Sequence, residues 1–289
     1  MLLLIDALTR SAEQLAQGGV ENARLNAERL LAHTLGLSRA QLYVERDRTL
    51  TREQVARFEE KIARRLRQEP LQYITGEAEF MSLPFKVNPS VLIPRPETEV
   101  LVEAALDFFR RNFDPDDSVS ALDLGTGSGC IAISLARYRA TAHVTAVDVS
   151  EAALATAREN ARLNGVDDRI EFLHADLLTE SARVLVAGEV HLIISNPPYV
   201  SPQDFDRLPE EIREHEPVVA LRDADDGLSF FRRIADVASE LLNQPGAVFV
   251  EVGMGQAQKV VEIFSLKDLG EITVLKDLTG IERVVRCER

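Results

Sequence analysis

The fold of this chain is decided by "ALDLGTGSGCIAISLA", residues 121–136. An apolar run leads into Gly125, Gly127 and Gly129 at alternate positions, and a second apolar run follows. The pattern is a strand, a tight turn and a helix. Glycine lets the backbone turn sharply and a ligand approach it, while the helix N–H groups point into the site. Nineteen residues beyond Gly129, Asp148 ends the next apolar segment, where a carboxylate can take both hydroxyls of a ribose. Thr126 and Ser128 lie between the glycines and complete the candidate cofactor loop.

Dinucleotide sites share this plan, but their glycines fall as G-x-G-x-x-G, whereas these fall as G-x-G-x-G. Asp123 is expected to put a carboxylate at the mouth of the loop, and no Lys or Arg lies within residues 121–136. A pyrophosphate would be repelled there, while a ligand with an ammonium and a sulfonium would be attracted. S-adenosyl-L-methionine, which becomes S-adenosyl-L-homocysteine on losing its methyl group, is such a ligand. Asp176 and Leu177 follow the strand expected at 170–174 and stand where an adenine edge would lie.

Around this loop, helix and strand alternate. Helices are expected at 97–112, 130–138, 151–164, 228–242 and 256–264, and strands at 120–124, 143–148, 170–174, 192–195 and 247–252, with two more near 272–275 and 283–287. Such alternation predicts an α/β, Rossmann-like domain with a mostly parallel sheet and its ligands at the strand carboxyl ends. The first 70 residues read differently. Leucines recur at helical spacing, and Thr51-x-x-Gln54 predicts a capping box opening an amphipathic helix to about residue 68. Residues 71–96 are rich in β-branched, aromatic, Gly and Pro residues and read as a β-hairpin connector. The expected organisation is therefore a helical domain at 1–70, a linker at 71–96 and a catalytic domain at 97–289.

A second motif, "NPPY" (Asn196, Pro197, Pro198, Tyr199), ends the strand at 192–195. Proline cannot continue a sheet ladder, so the chain leaves the sheet in a stiff turn. A planar nitrogen that is to attack a sulfonium carbon carries N–H donors. The Asn196 carboxamide oxygen and the Pro197 carbonyl can accept them, and Tyr199 can offer a ring face. This is catalysis by orientation and electrostatics, with no strong base in the motif.

Composition limits the alternatives. With 289 residues, 45% hydrophobic and 28% charged, the chain has the make-up of a soluble globular protein, expected in the cytoplasm as a monomer. No apolar run approaches the roughly 18 residues of a membrane span, and Cys130, Cys287 and five scattered histidines show no metal or disulfide spacing. Residues 1–80 hold 12 Lys/Arg and 12 Asp/Glu, so the whole net charge of −14 falls on residues 81–289. An acidic catalytic half argues against direct nucleic-acid binding. The basic stretch from Arg57 to Arg67 reads as a solvated helix face with cations near its C-terminus in preference to a docking patch.

The motifs together resemble those of the protein glutamine methyltransferases that modify peptide-chain release factors. "LIPRPETE" (residues 92–99), "LDLGTGSGCIAISLA", "AVDVS", "NPPY", "EP…AL" (residues 216–221) and "GIERVV" carry the resemblance nearly end to end. It implies methyl transfer from S-adenosyl-L-methionine to the glutamine side chain of the factors' Gly-Gly-Gln loop, with the N-terminal helices helping to hold the protein substrate. It also implies cofactor contacts at Gly125–Gly129 and Asp148, a shared role for Asn196, and a glutamine pocket at Pro197, Pro198 and Tyr199. Leu177 stands where some relatives carry an aromatic ring. Arg95, Glu97 and Glu99 are candidates for ordering the pocket, with a salt-bridged helix start as the plain alternative, and Glu251 is a candidate facing the crevice. Four other readings are weighed against it: the same chemistry on a ribosomal-protein glutamine, an adenine amino-methyltransferase, a nicotinamide-dependent oxidoreductase, and a non-catalytic binding module, which leaves the coincidence of loop, Asp148 and Asn-Pro-Pro-Tyr unexplained.

Overall fold

The computed structural model describes residues 2–186 and 188–289. Two compact units divide the chain. One runs to Glu77 and takes in Pro209–His215; the other comprises Ala78–Leu208 and Glu216–Arg289.

The first unit packs helices Leu4–Gln17, Ala23–Leu35, Arg39–Val44, Arg52–Leu66 and Leu71–Thr75 around Leu4, Leu8, Leu15, Leu30, Leu31, Phe58 and Ile62. The capping box forms as expected: Gln54 N donates to Thr51 Oγ1 at 3.2 Å, and Thr51 N donates to Gln54 Oε1 at 3.0 Å. The basic stretch is only partly a solvated face. Arg57 is exposed beside Glu53, but Arg65 is buried, donating to Asn26 Oδ1 at 2.9 Å and to Glu211 Oε2 at 2.7 Å.

Residues 71–75 are helical, so strand pairing in the connector is confined to Glu77–Phe80 and Leu83–Lys86. Leu71, Tyr73 and Ile74 are buried, and packing of these apolar residues overrides their strand preference.

The second unit is a seven-stranded sheet. Its strands are β1 (Val119–Leu124), β2 (Ala142–Asp148), β3 (Ile170–His174), β4 (Val190–Ser195), β5 (Leu242–Glu251), β6 (Glu271–Lys276) and β7 (Glu282–Glu288), in the order β3-β2-β1-β4-β5-β7-β6. Only β7 runs against the others. Successive residues of a strand point to opposite faces, and both faces are covered. Ala121, Val144, Ile194 and Phe249 meet helices α1 (Pro96–Asn112), α2 (Cys130–Tyr138) and α3 (Glu151–Leu163) on one side. Leu122, Val147, Ile193 and Val248 meet α4 (Ser229–Leu241) and α5 (Ala257–Ser265) on the other. This explains why the strands read as apolar runs without alternation.

The strand order reverses between β1 and β4, which pair in parallel through Ala121 and Leu192. Their carboxyl ends therefore flank a crevice, the usual ligand position in an open α/β sheet. The segment after β4 contains three short helices, Pro202–Phe205, Glu210–His215 and Val218–Leu221. No described helix is long and apolar enough to cross a membrane.

Candidate active site

Above the crevice lies a cavity of about 290 Å³, lined by the glycine loop, Asp148, Asp176, Leu177, Asn196, Pro197, Pro198, Arg95 and Thr98, among others. Gly125 and Gly127 adopt φ of 75° and 55°, and a Cβ built on either meets nothing within 4 Å. Both line the cavity, so a side chain at either position would enter ligand space. Gly129 is different: at φ 82° its Cβ would lie 2.9 Å from Ile133 Cδ1 and 3.1 Å from Ala157 Cβ, so it is required for packing.

The loop is fastened from three sides. Gly125 N and Thr126 N both donate to Val147 O at 2.9 Å. Asn160, fully buried on α3, donates to Ser128 O at 2.9 Å and exchanges bonds with the Lys86 backbone, linking loop and hairpin. Asp123 holds the loop from beneath. Its Oδ2 accepts from Thr126 Oγ1 at 2.7 Å and from Ala132 N at 3.2 Å.

The position of Asp123 corrects the sequence expectation. The carboxylate is not at the mouth of the loop; it is wholly buried and does not line the cavity. Burial pushes its pKa up to about 7, because desolvation disfavours the charged form. The carboxylates that do face the cavity are Asp148 and Asp176. Asp148 Oδ2 accepts from Gly127 N at 2.8 Å and Oδ1 from Ser150 N at 2.8 Å. Each oxygen keeps acceptor capacity, and burial raises the pKa here too. Asp176 accepts from Leu178 N at 2.9 Å, and Leu177 is buried against the cavity.

The Asn-Pro-Pro-Tyr turn leaves β4 beside the end of β1, where Ser195 Oγ donates to Leu124 O at 2.6 Å. The Asn196 carboxamide is held at one end only: Nδ2 donates to Thr98 Oγ1 at 3.2 Å. Thr98 Oγ1 in turn donates to Glu251 Oε2 at 2.6 Å. No hydrogen bond reaches Asn196 Oδ1 or the Pro197 carbonyl among the described residues. Downstream, Gln256 Nε2 donates to Tyr199 O at 3.0 Å, and Val200 bridges to Arg222.

The other named residues divide. Arg95 lines the cavity and pairs with the buried Glu216, which also accepts from Ile93 N at 3.3 Å. Glu99 does not line the cavity; it accepts from Met81 N at 2.6 Å and caps the hairpin turn. Tyr199 does not line it either; a Cβ added at Gly253 would lie 3.1 Å from Tyr199 Cδ2. Burial pushes the Tyr199 hydroxyl up to about 12, so it stays protonated at neutral pH. Thr98 and Asn160 were missed by sequence reasoning; Thr98 lies within the quoted "PRPETE", and its lack of charge hid it.

Comparison with known proteins agrees with this geometry. The PrmC N-terminal domain family matches residues 6–76, and the methyltransferase small domain family matches residues 100–214. The release factor glutamine methyltransferase of Geobacter sulfurreducens is 44% identical over 271 residues, covering 94% of this chain and 91% of that one. That of Chlorobaculum tepidum is 40% identical over 285 residues, covering 98% and 96%. Among solved structures, the hMettl16 catalytic domain superposes with a TM-score of 0.57 at 16% identity, over 79% of this chain and 81% of that one. The human methyltransferase 10 domain containing protein reaches 0.51 at 17% identity, over 71% and 89%. Both share the fold of the sheet unit. The two curated relatives match across the helical and sheet units alike, and on that similarity the chain belongs to the release factor glutamine methyltransferase family.

Proposed function

We propose that the protein transfers a methyl group from S-adenosyl-L-methionine to the side-chain amide nitrogen of the glutamine in the Gly-Gly-Gln loop of peptide-chain release factors. The observation that carries this reading is the half-anchored Asn196 carboxamide. With its nitrogen committed to Thr98, its oxygen and the Pro197 carbonyl are two rigid acceptors at the cavity wall.

The donor set fits the cofactor. Asp148 offers an acceptor on each oxygen for the ribose hydroxyls, the open glycine positions leave room for the amino-acid portion, and Leu177 with Asp176 suits the face and edge of an adenine. Asp123 acts from beneath the loop and fixes its shape. When bound, the cofactor supplies a methyl carbon made electrophilic by its sulfonium. The chain's own residues then have one task, to present the nucleophile. An amide nitrogen is a weak nucleophile because its lone pair is conjugated with the carbonyl. Acceptors for both of its N–H groups orient that lone pair and increase electron density on nitrogen, and the effect is strongest in a water-poor site.

The helical unit fits the role of docking the protein substrate. Oligomeric state is proposed as monomeric, the reaction as cytoplasmic, and the net charge of −14 speaks against direct nucleic-acid contact. Replacing Asn196 with alanine should lower kcat about 100-fold or more, the scale seen when one oriented hydrogen-bonding group is lost, while the Kd for S-adenosyl-L-methionine changes only a few-fold. Near-normal turnover in a folded Asn196→Ala protein would remove this mechanism.

A further inference from the structure

Asn196 can serve as an acceptor only if its carboxamide keeps one orientation. A carboxamide has an acceptor at one end and donors at the other, and a half-turn would put N–H groups where the substrate's own N–H groups must go. Something must choose between the two orientations. Within the sheet unit the choice is made by two buried residues that sequence alone did not connect with Asn196. Thr98, in the first turn of α1, is 2% exposed, and Glu251, the last residue of β5, is 3% exposed. Ser195 pairs with Val250 across β4 and β5, so Asn196, the first residue beyond β4, and Glu251, the last of β5, are the next residue of each segment.

The hydroxyl of Thr98 carries a single hydrogen. When it donates to Glu251 Oε2 at 2.6 Å, the oxygen left facing Asn196 can only accept, and it accepts from Nδ2 at 3.2 Å. Resting on the function proposed above, we propose that Thr98 and Glu251 are positioning residues that lock the Asn196 carboxamide with its oxygen toward the substrate amide. Neither needs to touch substrate. The lock depends on an ionised Glu251, because a protonated carboxyl can donate to Thr98 and release the hydroxyl hydrogen toward Asn196. Burial pushes the Glu251 pKa up to about 7, so the device works above neutrality and fails as the pH falls. The groups facing Glu251 are Arg95 and Glu97 at the start of α1, Arg283 of β7, Tyr199 of the turn and Cys130 of α2. Both arginines favour the ionised form; Glu97 and the burial itself oppose it.

The test uses the full chain, S-adenosyl-L-methionine and a purified release factor, with five variants, the Asn196→Ala background included. Thr98→Val removes the hydroxyl and keeps the shape; kcat should fall about tenfold, the scale of one net hydrogen bond, with cofactor Kd within about twofold. Thr98→Ser restores the hydroxyl and should recover most of the rate. In an Asn196→Ala background, Thr98→Val should add nothing, because the group it orients is gone. Glu251→Gln retains an acceptor for Thr98 but does not titrate. The rise of kcat with pH through about 7 should therefore be present in the parent and absent in this variant. Parental kcat in Thr98→Val, an undiminished extra loss in the Asn196→Ala background, or an unchanged pH limb in Glu251→Gln would overturn the inference while methyl transfer by the parent stands. A parent that transfers no methyl group to the release factor would overturn the functional reading and this lock together.

Discussion

Replacing Asp148 with alanine isolates the contribution of the ribose to cofactor binding. Each Asp148 oxygen already accepts one backbone N–H, from Gly127 and Ser150, both at 2.8 Å. A carboxylate oxygen has two acceptor sites, so one site per oxygen remains for the two ribose hydroxyls. Hydrogen bonds to a charged group contribute about 1.5–3 kcal/mol each. The lower end applies here, because the half-buried carboxylate is already partly neutralised by its two N–H partners. Two such bonds give about 3 kcal/mol, a loss of roughly 150-fold in affinity. Isothermal titration with S-adenosyl-L-methionine and S-adenosyl-L-homocysteine measures it, with thermal melting to confirm the fold. An analogue lacking the 2′ and 3′ hydroxyls should bind parent and variant alike, which separates ribose contacts from general loosening of the loop. A folded Asp148→Ala protein with a Kd within about threefold of the parent would refute the assignment.

Three further outcomes follow from the same geometry. Gly129→Ala forces a Cβ to 2.9 Å from Ile133 Cδ1 at φ 82°, and should destabilise the fold by about 2–3 kcal/mol, read as a lower urea midpoint. Asn160→Leu leaves Ser128 O and the Lys86 backbone without their buried partner; about 3 kcal/mol of stability should be lost, together with cofactor affinity, whereas Asn164→Ala near the end of the same helix should cost far less. Cofactor affinity should also depend on pH. Burial raises the Asp148 pKa above its ordinary 3.8, so affinity is full above the raised value and falls as the solution is acidified through it. Titrations between neutral and acidic pH should show that fall in the parent and not in Asp148→Ala.

The sheet unit was legible because its physics is local. Strands covered on both faces must be apolar runs, and helices between them carry their own periodicity, so expected and observed bounds differ by at most one residue in α1, α2, α3 and β1 to β3. The glycine loop and the Asn-Pro-Pro-Tyr turn were legible for the same reason: both are backbone conformations that few residues permit. Contacts between distant segments were not legible. Thr98 meets Asn196 and Glu251 across 98 and 153 positions, and in sequence it is only an uncharged residue among glutamates. Asp123 read as a cavity carboxylate because its depth beneath the loop depends on Thr126 and Ala132 folding over it. Glu99 lies one residue from Thr98, yet helical geometry turns it to the Met81 turn. Pro209–His215 packs with the helical unit through Arg65 and Glu211, an association that no local pattern announces.

The decisive measurement is transfer of labelled methyl from S-adenosyl-L-methionine to a purified release factor, run beside the same factor with the Gly-Gly-Gln glutamine replaced by alanine. Label on the first and none on the second is the expected result. Equal label on both would contradict the glutamine assignment. No label on either, with cofactor binding intact, would contradict the substrate and leave ribosomal protein or nucleic acid to be tried.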